Sequence, residues 1–374
     1  MKLLVVTPYF YPKVGGLESY AYNICKGLRE NYGWEVVVIT SNHEEKKYNI
    51  ETIEGIKIYR LPAWFKLSNT PINPLWYFMI RKIITNERPD IINAHTPVPF
   101  IADIATLASK KIPVVITYQA GTLLKNKLIP DMITGLYQTT FLKLMLSQAD
   151  KIICVSDYVK NSFLKTYNHK STVITPGVDT DLFKPAPIKE PQKNILLCVG
   201  GLKKAENYKR LEDIFYAVSL LKEKQFEIQL VVVGEGDNEN YFKELSKKLH
   251  IAKQVIFRGK LVGNDLVTQY QQSNVLVLAS VNESFGMVLI EAMACKVPVI
   301  GANTCGIPYV IDNKKNGLLF PPGDKKVLSE TILHVLQNDR YAKSLAENGY
   351  KKVLSDFTWL KQIKKTHDLF TTLL

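Results

Sequence analysis

Residues 274–302 read NVLVLASVNESFGMVLIEAMACKVPVIGA. Two short aliphatic runs, VLVLA and VPVI, flank a segment that opens with polar and glycine residues and then becomes apolar over a helical length. A strand covered on both faces reads as an unbroken apolar run, so the stretch predicts a strand–helix–strand unit of a parallel sheet. Ser284 is placed to cap the helix, which is expected to begin near Phe285–Gly286, with Glu283 in the loop before it and Glu291 further inside it.

The same alternation runs through the chain in two series. KLLVVTP, EVVVIT, DIINAH, PVVITY and DKIICVS come first, and KNILLCVGG, IQLVVVGEG, QVIFRGK, NVLVLAS, VPVIGA and GLLFPPG follow. Each series predicts a doubly wound α/β domain, and 374 residues exceed the ~250–300 at which single cores stop growing. Between them lies GVDTDLFKPAPIKEPQK, whose Pro185, Pro187 and Pro191 break helix and ladder alike. The boundary is therefore placed so that 1–185 forms the first domain and 186–356 the second. The terminal stretch 357–374 is helical in pattern, with Phe357, Leu360, Ile363 and Lys364 on one mostly apolar face that could return to the first domain.

Composition is that of a folded protein, 46% hydrophobic and 22% charged. Nothing approaches the ~18 consecutive apolar residues of a spanning helix, and the opening MKLLVVTPYFYP is too short an aliphatic run for a secretory leader. Five scattered cysteines without a CxxC point to a reduced, cytoplasmic protein. A net charge of +13 favours an anionic partner, which could be nucleic acid, a phosphorylated substrate or an acidic membrane face. The segments 61–84 and 136–151 mix aromatics, aliphatics and lysines; they suit a peripheral helix on an anionic bilayer or ordinary packing against a sheet.

The chemistry should sit at strand ends. After the first strand, Gly15-Gly16 leads into an amphipathic helix, either as a turn needing positive φ or as a place where backbone N–H groups approach a phosphate. CVGGLKKAENYKRL matches neither GxGxxG nor a P-loop, leaving a glycine turn at Gly201 followed by Lys203, Lys204, Lys209 and Arg210. Such a cluster suits a diphosphate, although surface lysines are commonly just solvated. His95 ends the strand DIINAH, where it is either a satisfied polar residue or a functional one. Asp179 and Asp181 look like a turn, and no metal is assigned.

If residues 283–291 were all helical, their separation at ~1.5 Å rise per step would place the two carboxylates about 12 Å apart along the axis. Acid/base pairs of glycoside hydrolases stand ~5–5.5 Å or ~6.5–9.5 Å apart. The spacing argues against a hydrolytic dyad and for carboxylates that accept hydrogen bonds from ligand hydroxyls, while N–H groups around Gly286, Met287 and Val288 face a phosphate. A capping role for Glu283 and a basic partner for Glu291 remain the plain alternative.

ESFGMVLIEAMACKVPVI, followed by GIPYVIDNKKNGLLFPPGD and preceded by PYFYPKVGGLESY and PGVDTDLF, resembles the family 4 glycosyltransferases of GT-B architecture over nearly the whole chain. The resemblance implies two Rossmann-like doubly wound domains facing a central cleft, the first binding a glycan, lipid-linked or small-molecule acceptor and the second a nucleotide-sugar donor. It also implies retention at the anomeric carbon without a metal or other cofactor. UDP-sugars come first and GDP-mannose second on family frequency. Carried over, Glu283 would meet hydroxyls of the transferred sugar and Glu291 the ribose. Amides of Phe285, Gly286, Met287 and Val288, with Gly15-Gly16, would receive the diphosphate, and Arg258-Gly259-Lys260 would meet the base. Lys209 would be the main cation, with the leaving phosphate itself taking the acceptor's proton.

Three departures stand out. Gly201 replaces the family's usual Arg, so the diphosphate clamp has lost an arm or borrowed Lys203 or Arg210. Gln119 stands where many members place a His near the sugar, which retains hydrogen bonding but not a proton charge. Cys305 and Tyr309 stand where Gly and Glu are common. Two rival classes remain: a GT-B nucleotide-sugar epimerase or hydrolase, which turns over donor without an acceptor, and a non-catalytic anion-binding module. Nucleic acid is the least favoured ligand because no RNP, KH or zinc signature is present.

Overall fold

The computed structural model describes residues 1–13, 15–42, 45–67, 70–109, 111–121, 128–186 and 194–374. The chain forms two compact units, one of Met1–Gly177 with Trp359–Leu374 and one of Val178–Thr358. The division thus falls at 177/178 rather than 185/186. Residues 178–184 are tied to the second unit: Val178 bridges to Thr358, Phe183 meets Tyr270 edge-on at 6.0 Å, and the Gln271 side chain donates to the Lys184 carbonyl at 2.7 Å. Pro187 and Pro191 lie outside the described residues.

The first unit contains β1 (Lys2–Val6), α1 (Gly16–Tyr32), β2 (Glu35–Asn42), β3 (Asn49–Ile53), β4 (Ile56–Pro62), the hairpin β5 (Phe65–Leu67) and β6 (Thr70–Ile72), and α2 (Trp76–Glu87). There follow β7 (Ile91–Thr96), α3 (Ile101–Ala108), β8 (Val114–Tyr118), α4 (Leu128–Tyr137), α5 (Lys143–Gln148), β9 (Lys151–Cys154), α6 (Asp157–Phe163) and β10 (Ser171–Val173). The sheet order is β10-β9-β8-β7-β1-β2-β4-β3, parallel except for β3. The chain departs from β1 in one direction and returns to β7 to go the other way, so the switch point lies between β1 and β7, where open α/β sheets bind ligands at the carboxyl ends of their strands. β3 and β4 are not announced by an apolar run, because inward and outward residues alternate along them.

Helix α1 ends where Gly33 takes φ +66 and donates back to the Arg29 carbonyl at 3.0 Å. The last helix, α14 (Trp359–Thr371), numbered after those of the second unit, packs on α1. Gly27 permits this contact, since a Cβ there would overlap the Ile363 side chain. The buried face of α14 is Gln362, Ile363, Thr366 and Phe370. Leu360 instead faces solvent, and Phe357 belongs to the core of the second unit, so the apolar face read from the sequence is rotated.

The second unit orders its strands β13-β12-β11-β14-β15-β16, all parallel: β11 (Ile195–Val199), β12 (Gln229–Val233), β13 (Val255–Gly259), β14 (Val275–Leu278), β15 (Val299–Ala302) and β16 (Leu318–Phe320). Its helices are α7 (Leu211–Glu223), α8 (Glu239–Lys248), α9 (Gly263–Gln272), α10 (Met287–Ala294), α11 (Ile307–Val310), α12 (Lys325–Gln337) and α13 (Asp339–Asp356). β11 and β14 are neighbours although far apart in sequence, so the switch point of this unit lies between their ends. The central strands of both sheets, β1, β2, β7, β8 and β9 in the first unit and β11, β12, β14 and β15 in the second, supply cores of Leu, Ile and Val at or near zero exposure, while β3 and β13 form the less buried edges.

Candidate active site

At the β11–β14 switch point, β11 delivers Gly200-Gly201 and β14 delivers the loop that carries Glu283. The glycine turn is packed closely by the next loop: a Cβ on Gly234, which stands at φ +147, would overlap the Gly200 carbonyl. From there the chain makes a 3-10 turn, Lys204–Lys209, which is tied to the β14 loop by Val281 N–H donating to the Tyr208 carbonyl at 2.8 Å. Lys209 Nζ lies 3.1 Å from Glu206 Oε2. It also covers Gly200, whose added Cβ would stand 3.2 Å from the ammonium.

Burial pushes the Glu283 carboxyl above its ordinary range, opposed by the Lys209 charge and by hydrogen bonds from the backbone N–H groups of Phe285, Gly286 and Ser284. The N–H groups of Phe285 and Gly286, which the resemblance assigns to a diphosphate, thus also act on the Glu283 carboxyl. Ser284 is not the cap: α10 starts at Met287, and its N-cap is Gly286 at φ +96, a conformation that favours glycine. Met287 and Val288, in the first helical turn, have N–H groups without an intrahelical acceptor.

Glu291 projects from α10 and accepts from the Tyr270 hydroxyl at 2.7 Å. Burial raises its carboxyl, and the tyrosine bond partly offsets this. One oxygen is thereby fixed and the other can accept from a ligand hydroxyl. Tyr270, fully buried on α9, carried no sequence signal, because a lone tyrosine in a helical segment reads as core. Cys305 stands at φ +54, where glycine is natural, and its thiol donates to the Val281 carbonyl at 3.2 Å. Beside it, Gly306 N–H donates to the Glu283 carbonyl at 2.8 Å. Nothing in the structure explains Tyr309, which is exposed.

The remaining basic residues divide. Arg210 is held by a bidentate bond to buried Asp213, at 2.5 and 3.0 Å, so it braces the start of α7 rather than replacing the missing arginine. Lys203 is exposed. Arg258 is exposed, Gly259 at φ +67 accepts from Gly234 N–H at 2.8 Å, and Lys260 Nζ lies 3.9 Å from Glu235.

In the first unit, Gly15 is the N-cap of α1, in extended backbone, and a Cβ there would stand 2.5 Å from Glu18 Oε2. Glu18, nearly buried, thus places an internal carboxylate at the Gly15-Gly16 turn, where a ligand phosphate was expected. His95 is 0% exposed at the end of β7. Asn93 Nδ2 donates to the Val115 carbonyl at 3.0 Å and Thr117 Oγ1 at 2.8 Å, which turns Asn93 Oδ1 toward His95 Nε2 at 2.8 Å. His95 Nε2 therefore carries the hydrogen, and Nδ1 accepts from Gln119 Nε2 at 3.0 Å. Burial pushes the imidazole down to about 3, so it stays neutral. Both ring nitrogens are engaged within the fold, and through Nδ1 His95 holds the Gln119 side chain. Asp179 Oδ1 accepts from the N–H groups of Asp181 and Leu182 at 3.0 and 3.1 Å, the turn expected there. Among the described residues, no three His, Cys, Asp or Glu side chains converge as metal ligands.

A family model described as Glycosyltransferase Family 4 matches residues 14–182, and one described as Glycosyl transferases group 1 matches residues 179–352. An uncharacterized glycosyltransferase of Methanocaldococcus jannaschii is 28% identical over 381 residues, spanning 100% of this chain and 99% of that protein. The fold is similar to that of sucrose-phosphate synthase from Thermosynechococcus elongatus, with TM-score 0.83, 21% identity and coverage of 100% and 98%. It is also similar to Anabaena HepE solved in complex with UDP-glucose, with TM-score 0.76, 18% identity and full coverage, 100%, of both chains. These structures have the two Rossmann-like domains of the GT-B fold. With the two models together matching residues 14–352, the chain belongs to the family 4, group 1 glycosyltransferases.

Proposed function

We propose that the protein is a retaining, metal-independent hexosyltransferase that takes its sugar from a UDP-sugar, with GDP-mannose as second choice, and passes it to a glycan, lipid-linked or small-molecule acceptor. The observation that carries this reading is the grouping of Lys209, Glu283 and the first turn of α10 at the β11–β14 switch point, with Glu291 further along the same helix. Breaking a sugar–phosphate bond develops negative charge on the departing diphosphate, and a preorganised cation with helix N–H groups meets that charge. In the step proposed, the bond from the anomeric carbon to the phosphate oxygen breaks and the acceptor oxygen bonds the same face. The acceptor's proton passes to the leaving phosphate. Glu283 accepts from sugar hydroxyls and Glu291 from the ribose. The choice of a uridine nucleotide is supported by the UDP-glucose bound to the structurally similar HepE.

A nucleotide-sugar panel tests the donor. A ligand that binds only the folded state at 100 times its Kd stabilises it by about 2.7 kcal/mol. UDP-sugars are expected to raise the melting temperature by several degrees, GDP-mannose less. No shift with any nucleotide sugar would overturn the reading, and release of nucleoside diphosphate at full rate without an acceptor would favour the epimerase or hydrolase.

A lipid-linked acceptor is supported by one face of the first unit. Helices α2, α3 and α5 pack side by side. α4 continues into α5 through a π turn, Gln138–Leu142, and the added residue keeps Met132, Leu136, Phe141 and Leu144 on one exposed stripe. Phe78 of α2 is 70% exposed and is followed on the same helix by exposed Arg81 and Lys82. An anionic bilayer matches both the apolar stripe and the +13 charge. The protein should co-sediment with vesicles of 30% phosphatidylglycerol in phosphatidylcholine, while Leu136→Glu with Phe141→Glu should reduce binding about tenfold. Equal binding by the variant removes the membrane face.

A further inference from the structure

The departure at Gly201 has a structural counterpart five positions on. Glu206 sits in the 3-10 turn at φ −107 and ψ 26, outside helical geometry, and its carboxylate folds back over Gly201. An added Cβ at 201 would overlap Oε2 and lie 3.0 Å from Cδ. Where a side chain would otherwise stand beside the diphosphate cation there is therefore a carboxylate, 3.1 Å from Lys209 Nζ. The two side chains are 22% and 23% exposed, so solvent screens the pair only partly. The charge of Lys209 also acts on Glu283, although its ion pair is with Glu206. Tyr208, whose hydroxyl burial pushes up to about 12, feels the charges of both Glu206 and Glu283.

We infer that Glu206 is a counter-charge built into the diphosphate subsite, holding Lys209 in the free protein and weakening its grip on a nucleoside diphosphate. The inference rests on the donor-site reading above. A diphosphate reaching Lys209 must share the ammonium with Glu206 or displace it. Once the nucleoside diphosphate has shed the proton it took from the acceptor it carries one more negative charge than the donor did, and Glu206 stands ready to reclaim the lysine as the nucleotide departs. Gly201 is the residue that leaves room for this arrangement.

Two variants test it by calorimetry with UDP and with uridine, which lacks phosphate. Glu206→Gln removes the charge and keeps the shape. Gly201→Ala keeps the charge but pushes the carboxylate aside; the backbone at 201 is not in the left-handed region, and the overlapping atoms are the far end of a flexible side chain. Each variant should bind UDP about tenfold more tightly than the parent, the order of one unit-charge contact in a partly screened site. Uridine affinity should stay unchanged, and the UDP gain should shrink at high salt. Unchanged UDP affinity in both variants, or an equal gain for uridine, overturns the counter-charge. A parent protein that binds neither UDP nor any nucleotide sugar would instead overturn the donor-site reading itself.

Discussion

The Lys209→Ala variant should lose a hundred- to a thousandfold in kcat/KM for nucleotide-sugar turnover. Removing one preorganised donor aimed at developing negative charge typically costs ~10²–10³ in rate. Lys209 is the basic side chain that the structure places against both the glycine turn of β11 and the field of Glu283. Arg210 cannot substitute, being bound through two hydrogen bonds to Asp213. Most of the loss should fall on kcat, because the charge met by the lysine grows during bond breaking. Steady-state kinetics with donor varied at saturating acceptor reads this directly. A variant within threefold of the parent would show that another group neutralises the diphosphate.

Glu283→Gln should lower kcat about a hundredfold and also lower the melting temperature by a few degrees. The carboxylate accepts the N–H groups of three successive residues, Ser284, Phe285 and Gly286. A glutamine has one acceptor oxygen and presents an NH₂ to donors already there, leaving buried N–H groups unsatisfied at ~1–3 kcal/mol. The Glu283 side chain is thus both the proposed hydroxyl acceptor and the organiser of the loop that starts α10. Glu291→Gln should behave differently: Tyr270 can still donate to the amide oxygen, so the fold should hold and the loss should appear mainly in donor affinity. Because burial raises Glu283, its charge should be lost on acidification above the ordinary glutamate range. The acid limb of the kcat pH profile should lie correspondingly high and be absent from Glu283→Gln. Parent-like kcat in Glu283→Gln, or identical behaviour of the two variants, would contradict these roles.

The fold was legible because parallel strands buried on both faces leave a signature that needs no partner to interpret. VLVLA at β14 and VPVI leading into β15 read as strands before any contact is known. β4 was silent because its faces alternate, and the rotated face of α14 was misread because its burial depends on Gly27 of α1, far away in sequence. The order of the motifs likewise identified the family. Their internal geometry was another matter. Spacing could place Glu283 before a helix, but not turn the following amides onto its carboxylate. Composition could count the cations after Gly201, but not show that Arg210 faces Asp213 or that Glu206 covers the glycine. His95 at a strand end looked available until Asn93 and Gln119 were seen to occupy its two nitrogens. Burial pattern and motif order are properties of one segment at a time, so the sequence by itself determined two wound sheets and the strand ends that carry the chemistry. Which polar group meets which depends on backbone paths and on neighbours from other segments competing for the same hydrogen bonds, and only the tertiary structure decides that competition.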